Sequence, residues 1–274
     1  MKTRTYLLIG SLSVIAFLNV PQSAAQELPT KQPGLLHILR ERVKVGRADD
    51  HTRSEAEWVA AYEKAKYPYG YLAVSSMTGP SEVWYIVPSD SHAEMGKIFE
   101  EEQKNPTLAS DIARLTRADA EFIESVQALH AAARPELSYG DYPDIAKARF
   151  FEIGILRVRP GHAAEVEKAA KAYVAARKKA GVKGAYRVYS VIAGMPSPTY
   201  LIFSSVESFG DLDQAHPDHL DSMKAMSEED RAQLEKAWAD GVILDETNRY
   251  RVEPKQSYVS KETRARDPKF WSPQ

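Results

Sequence analysis

The chain has 274 residues, 27% of them Asp, Glu, Lys or Arg, and a formal net charge of −2. Scattered charges of both signs leave no basic footprint for nucleic acid. The absence of cysteine excludes disulfides, thiolate nucleophiles and cysteine-ligated metals. Lys2 and Arg4 precede an apolar run from Tyr6 to Val20, and Ser23 and Ala25 place small residues ahead of Gln26. This pattern predicts a signal peptide over 1–25 and an exported protein, periplasmic or secreted. The run is shorter than the about twenty residues of a membrane helix, so no stable span is expected after cleavage.

A linker over 26–34 leads to LLHILRERV (35–43), which predicts a strand. TRSE (52–55) is a capping-box sequence and predicts a helix start ahead of Trp58 and Tyr62. Strands are expected over 71–76 and 82–87 about a turn at Gly79. A polar helical region follows. Phe122, Val126, Leu129 and Ala133 then form an apolar stripe that predicts a long helix, with a last strand around Tyr139. The same order starts again with a strand over 149–158. A helix carrying Val166, Ala170, Tyr173 and Arg177 on one face stops at Gly181. Strands over 185–192 and 199–204 flank Gly194, a helix carries Leu234 and Trp238, and a strand surrounds Tyr250.

The second series echoes the first in its residues. Tyr71, Ser75, Gly79, Tyr85 and Ser89 recur 115 positions later as Tyr186, Ser190, Gly194, Tyr200 and Ser204. Val43, Gly46 and Trp58 fall on Val158, Gly161 and Tyr173 at the same spacing. Farther on, Pro106 with Pro217 and Tyr139 with Tyr250 suggest a spacing of 111 and a four-residue deletion in the second copy. The predicted fold class is α+β: two tandem ferredoxin-like β-α-β-β-α-β repeats, at 35–145 and 146–254, followed by a tail over 255–274. Helices cover one face of each sheet. The other face needs a partner, and the sister repeat supplies it as a pseudo-dimer within one chain. Phe270 and Trp271 are expected to clip the tail onto the body.

This order and duplication resemble the dimeric α+β barrel superfamily. Its members include antibiotic-biosynthesis-type monooxygenases, NIPSNAP-like proteins and, as fused two-repeat chains, the chlorite dismutase group. The resemblance spans about 35–145 and 148–254 and implies an intramolecular dimeric α+β barrel with a small-molecule pocket. It implies either cofactor-independent oxygenase or isomerase chemistry on electron-rich aromatic or polyketide substrates, or haem chemistry with a proximal histidine and a distal arginine. His216 or His219 with Arg187 would take the haem roles.

No GxSxG elbow, HExxH helix, phosphate loop or dinucleotide loop is present. In DLDQAHPDHLD (211–221), His216 and His219 lie among Asp213, Asp218 and Asp221, as acid/base or ligating groups or as ordinary residues of an exposed helix start. Alternation on the first strand of each copy puts His37 and Glu152 opposite the most apolar face. That apolar face, with Leu36 and Ile38 or Phe151, Ile153 and Ile155, is expected to meet the helices. His37 and Glu152 would then meet between the sheets, as a proton-transfer pair or a structural hydrogen bond.

Tyr71, Trp84, Tyr186, Arg187, Tyr189 and Tyr200 are candidates for ligand contact, although packing is the ordinary role of strand aromatics. Arg187 and Tyr189 stand where the first copy has Leu72 and Val74, which predicts a polar pocket between sheet and helices of the second copy. The combined reading is an exported small-molecule-binding protein with an oxygenase- or isomerase-type site in its second copy. A haem or metal enzyme and a noncatalytic exported interaction module are the alternatives. The cofactor stays open, no metal-ligand set is assigned, and further homo-oligomerisation is allowed.

Overall fold

The computed structural model describes residues 25–272, so the expected signal sequence through Ala24 lies outside the described residues. In the N-terminal half, β1 (Leu35–Val43), α1 (Ala48–Ala65), β2 (Leu72–Ser76) and β3 (Glu82–Ser89) are followed by α2 (His92–Lys104), α3 (Pro106–Asp119) and β4 (Ile123–Ala133). The C-terminal half runs β5 (Phe150–Val158), α4 (Ala163–Ala180), β6 (Arg187–Ala193), β7 (Thr199–Val206), α5 (Ala215–Ala225), α6 (Glu228–Gly241) and β8 (Val242–Val252). Two short helices close the described chain, α7 (Lys261–Arg266) and α8 (Pro268–Trp271).

The strands form a closed antiparallel barrel in the order β1-β3-β2-β8-β5-β7-β6-β4. Each half contributes four neighbouring strands, and β2 with β8 and β4 with β6 close the two seams. Closure removes every free edge, and with it the row of unpaired backbone groups that an open sheet presents.

The barrel interior takes the most apolar strand face. Ile38, Trp84, Leu129, Ile153, Leu201 and Tyr250 are almost fully buried there. This corrects the expected orientation: Leu36, Ile38, Phe151, Ile153 and Ile155 fill the barrel, and His37 and Glu152 face the helices. Two sheets closed upon each other exclude water more completely than a helix layer does, so the driest side-chain row goes inside. Separate apolar clusters lie beneath the helices of each half.

Helix placement brings further corrections. The first helix begins at Ala48, so TRSE lies inside it. Asp49 and Asp50 occupy its first turn, where carboxylates favour the positive end of the helix dipole. Residues 123–133, expected as a helix, form β4 between β1 and β6. The helix lies earlier, starting at Pro106, with the Asn105 side chain accepting from the Thr107 and Leu108 N–H groups.

Strand register also revises the spacing. Leu35 and Phe150, 115 apart, pair with Ala132 and Arg251, which are 119 apart. The C-terminal half therefore carries four more residues before its last strand, where the sequence suggested four fewer. Tyr139 is not equivalent to Tyr250: it forms an isolated bridge with Tyr186, whereas Tyr250 lies on β8.

The tail docks as expected. Tyr258 bridges to Tyr71, and buried Trp271 donates its indole N–H to the Ala146 carbonyl at 3.0 Å. Among the described residues, no helix is long and apolar enough to cross a membrane.

Candidate functional site

Each half holds a cavity between its helices and the outer face of its strands. Positions 115 apart line both: His37 and Glu152, Trp58 and Tyr173, Tyr62 and Arg177, Tyr71 and Tyr186, Tyr85 and Tyr200. The C-terminal cavity measures about 490 Å³ and the N-terminal one about 250 Å³. At two lining positions the C-terminal half carries the smaller residue. Gly154 stands where the first half has Leu39, and Ala170 where it has Glu55.

The walls of the larger cavity are mainly apolar, from Leu156, Val166, Val188, Ile202 and Trp238. Its polar groups are held in place by one another. Arg134 donates to Glu167 at 2.7 Å, and the Tyr200 hydroxyl donates to the same carboxylate at 2.6 Å. The Arg134 hydrogen bond holds Glu167 below the usual carboxylate range, and burial pushes Tyr200 up to about 12. Arg177 packs its guanidinium 4.7 Å from the Tyr139 ring and 5.5 Å from the Tyr186 ring. It donates to the Gly184 carbonyl at 2.7 Å and lies 3.6 Å from the Asp218 carboxylate, while its buried Nε has no protein partner among the described residues. His219 Nδ1 sits 2.9 Å from the Tyr173 hydroxyl. Burial, His216 and Arg177 all lower the His219 pKa, favouring neutral imidazole.

The sequence candidates divide among three environments. Tyr186, Tyr200, Glu152 and His219 line the C-terminal cavity, and Glu152 accepts from Arg249 at 3.1 Å. His216 is exposed on α5 and does not line it. Asp218 is committed elsewhere, accepting from the Gly184 N–H and the Gln214 amide, so the 211–221 segment does not gather a ligand set. Tyr71 and His37 line the N-terminal cavity, where His37 pairs with His130 rather than with Glu152.

Trp84, Arg187 and Tyr189 belong to the barrel interior or its end. Neighbours on a strand point to opposite faces, so Tyr186 and Arg187 cannot share one pocket. Arg187 donates to the carbonyls of Tyr139, Tyr186 and Gly140 at 2.7–2.8 Å, tying the connection after β4 to β6. The polar pocket expected from Arg187 and Tyr189 between sheet and helices is therefore not formed. Nor do Arg187 and His219 flank one cavity, so the residue pair suggested for haem does not fit.

Sequence reasoning missed a second constellation. Glu41 on β1, His51 and Glu55 on α1, and Asp119 at the end of α3 converge with one potential ligand atom each, all within 4.8 Å of one another. All four are buried. Burial first, then Glu41 and Asp119, raises Glu55 well above the usual carboxylate range; burial also raises Asp119. The detectable sequence signal was His51 and Glu55, four apart on one helical face.

No known protein-family pattern matches the chain, and no curated protein matches it. Solved structures do. An anthrone oxidase-like protein superposes with a TM-score of 0.52 at 14% identity, over 82% of this chain and 94% of its own. A proposed monooxygenase from Fusobacterium nucleatum subsp. nucleatum gives 0.51 at 10% identity, over 81% and 93%. A chlorite dismutase variant from Candidatus Nitrospira defluvii gives 0.48 at 10% identity, over 82% and 93%. These structures belong to the dimeric α+β barrel superfamily. At such identities the likeness concerns the fold, a mixed α+β chain closing an antiparallel barrel.

Proposed function

We propose that the chain is an exported small-molecule-binding protein whose site is the cavity of its C-terminal half. We read the two halves as tandem ferredoxin-like repeats, of which the second keeps an open pocket. The observation that carries this reading is the asymmetry at equivalent positions: Gly154 and Ala170 leave open what Leu39 and Glu55 occupy in the first half.

Apolar walls with a few placed polar groups suit a compact, mostly apolar ligand. Arg177, with an unpartnered Nε, suits an anionic or enolic group on it. The reaction class that fits is cofactor-independent oxygenation or isomerisation begun by proton abstraction. In the tautomer where His219 Nδ1–H donates to the Tyr173 oxygen, Nε2 is free to accept the proton. Arg177 then stabilises the resulting anion.

The test is a titration of the full chain with 8-anilinonaphthalene-1-sulfonate, an aromatic anion whose fluorescence reports apolar sites. The expected result is one saturable site per chain, weakened at least about tenfold by Gly154→Leu. A Cβ at 154 would meet Ile202 and Thr247 at 3.4 Å, ordinary contact, so the variant is expected to fold. Probe binding that ignores Gly154→Leu would overturn the reading. Native mass spectrometry of protein from its own host then identifies the resident ligand. Loss of turnover with retained binding in His219→Gln tests the base.

A further inference from the structure

We propose that Glu41, His51, Glu55 and Asp119 form a divalent transition-metal site in the N-terminal half, separate from the C-terminal cavity.

At the spacings set by strand register, Glu41, His51 and Glu55 fall on Leu156, Val166 and Ala170, and Asp119 falls on Trp238. Helices α1 and α4 match at 115, whereas α3 and α6 start and end 122 apart, which sets Gly241 opposite Asp119; neither Trp238 nor Gly241 is ionisable. All four C-terminal equivalents are apolar, so the backbone places no demand for ionisable groups there. Three carboxylates and an imidazole at these sites need another explanation.

Three acidic side chains are withdrawn from water, each 7% exposed or less. Among the described residues, the basic side chain within ion-pair distance of any of them is that of His51, 3.0 Å from Glu41 and 3.8 Å from Asp119. One imidazole cannot balance three ionised carboxylates, and uncompensated buried charge is strongly unfavourable, so the metal-free cluster keeps protons that an ion would displace. A divalent ion neutralises the excess.

One carboxylate oxygen of the cluster is orphaned. Asp119 is 3% exposed, its carboxylate faces His51, and its Oδ1 has no hydrogen-bond partner among the described residues. Buried carboxylate oxygens ordinarily find a partner. Ligand atoms within 4.8 Å of one another need only small movements to surround an ion at about 2.0–2.2 Å.

Three oxygen donors and one imidazole nitrogen suit Mn²⁺, Fe²⁺ or Zn²⁺; the imidazole argues against Mg²⁺ and Ca²⁺, which prefer oxygen. Glu41 and Glu55 also line the 250 Å³ cavity, so the ion would border a space open to water or a small ligand. The site would tie β1, α1 and α3 together.

The experiment uses the full chain, stripped with a chelator and titrated with Mn²⁺ alone. The expected result is one equivalent bound per chain, a raised melting temperature, and pulsed-EPR coupling to one histidine nitrogen. His51→Gln should abolish that coupling, and Asp119→Asn should weaken binding at least about tenfold. No saturable Mn²⁺ binding overturns the site and leaves a carboxyl cluster that shares protons. Binding that keeps its affinity in Asp119→Asn and its nitrogen coupling in His51→Gln also overturns it, because the ion then sits elsewhere. Should either variant not fold, the wild-type nitrogen coupling together with the other variant decides.

Discussion

His37 on β1 and His130 on β4 are cross-strand partners, with His130 Nε2 lying 3.1 Å from His37 Nδ1. One ring nitrogen must donate and the other accept, so the pair does not carry two full charges comfortably at this distance. Burial, with His130 adding to it, pushes the His37 pKa down from 6.5 to about 4. The cavity carboxylates Glu41, Glu55 and Glu102 share its surroundings.

The unfolded chain protonates His37 near 6.5, whereas the folded chain holds it neutral down to about 4. Its contribution is therefore fully present above pH 6.5, declines as pH falls through that window, and stops changing below about 4. Allowing for solvent screening at a partly exposed ring, the loss should be about 1–2 kcal/mol. Urea unfolding of wild type and His37→Gln at pH 7.5 and 5 checks this. The wild type should lose more stability than the variant between the two.

Inside the barrel, Glu82 accepts from the Trp84 indole at 2.7 Å, the Tyr250 hydroxyl at 2.6 Å and Arg40 at 2.9 Å. Glu82→Ala would strand the Arg40 guanidinium, which stacks over the Trp84 ring at 4.5 Å. Removing one partner of a buried ion pair leaves a charge without compensation. The expected cost is about 3–5 kcal/mol in urea-unfolding stability.

Arg187→Leu should also destabilise, by about 2–3 kcal/mol, because Arg187 satisfies three carbonyls with a charged donor. Anilinonaphthalenesulfonate affinity of the C-terminal cavity should not change, since Arg187 points into the barrel. Paired melting and binding curves test both halves of this expectation. Unaltered stability with lost binding would return Arg187 to the site.

Trp271→Ala removes an indole that is 3% exposed, together with its bond to the Ala146 carbonyl. Emptying such a site should cost about 3–5 kcal/mol. Limited proteolysis should then cut the variant's tail beyond Tyr258 faster than the wild type's.

Much of the fold was legible in the residues. The predicted first strand coincides with β1, and the strand pairs about Gly79 and Gly194 match β2 with β3 and β6 with β7 within about two residues. Those segments carry β-branched and aromatic runs bounded by turn residues, a local signal. The stretch 122–133 misled because Val126, Leu129 and Ala133 satisfy a helical spacing, although Leu129 and Ala131 face the barrel in strand alternation. Only pairing to β1 and β6 separates those readings.

Of the aromatic candidates, Tyr186 and Tyr200 line the C-terminal cavity, but Arg187 does not join them, because adjacent strand residues point to opposite faces. Alternation along β1 and β5 is a property of the sequence, and it correctly separated His37 and Glu152 from the apolar row. Which row meets water-excluding strands and which meets helices depends on closure of the barrel, a contact between segments distant in the chain. The same holds for Glu41, His51, Glu55 and Asp119. Their residue types are written in the chain, but their convergence needs β1, α1 and α3 packed together. Local periodicity determined which side chains travel together along each element; long-range packing decided what each face meets, because burial energy belongs to the assembled surfaces and not to any one strand or helix.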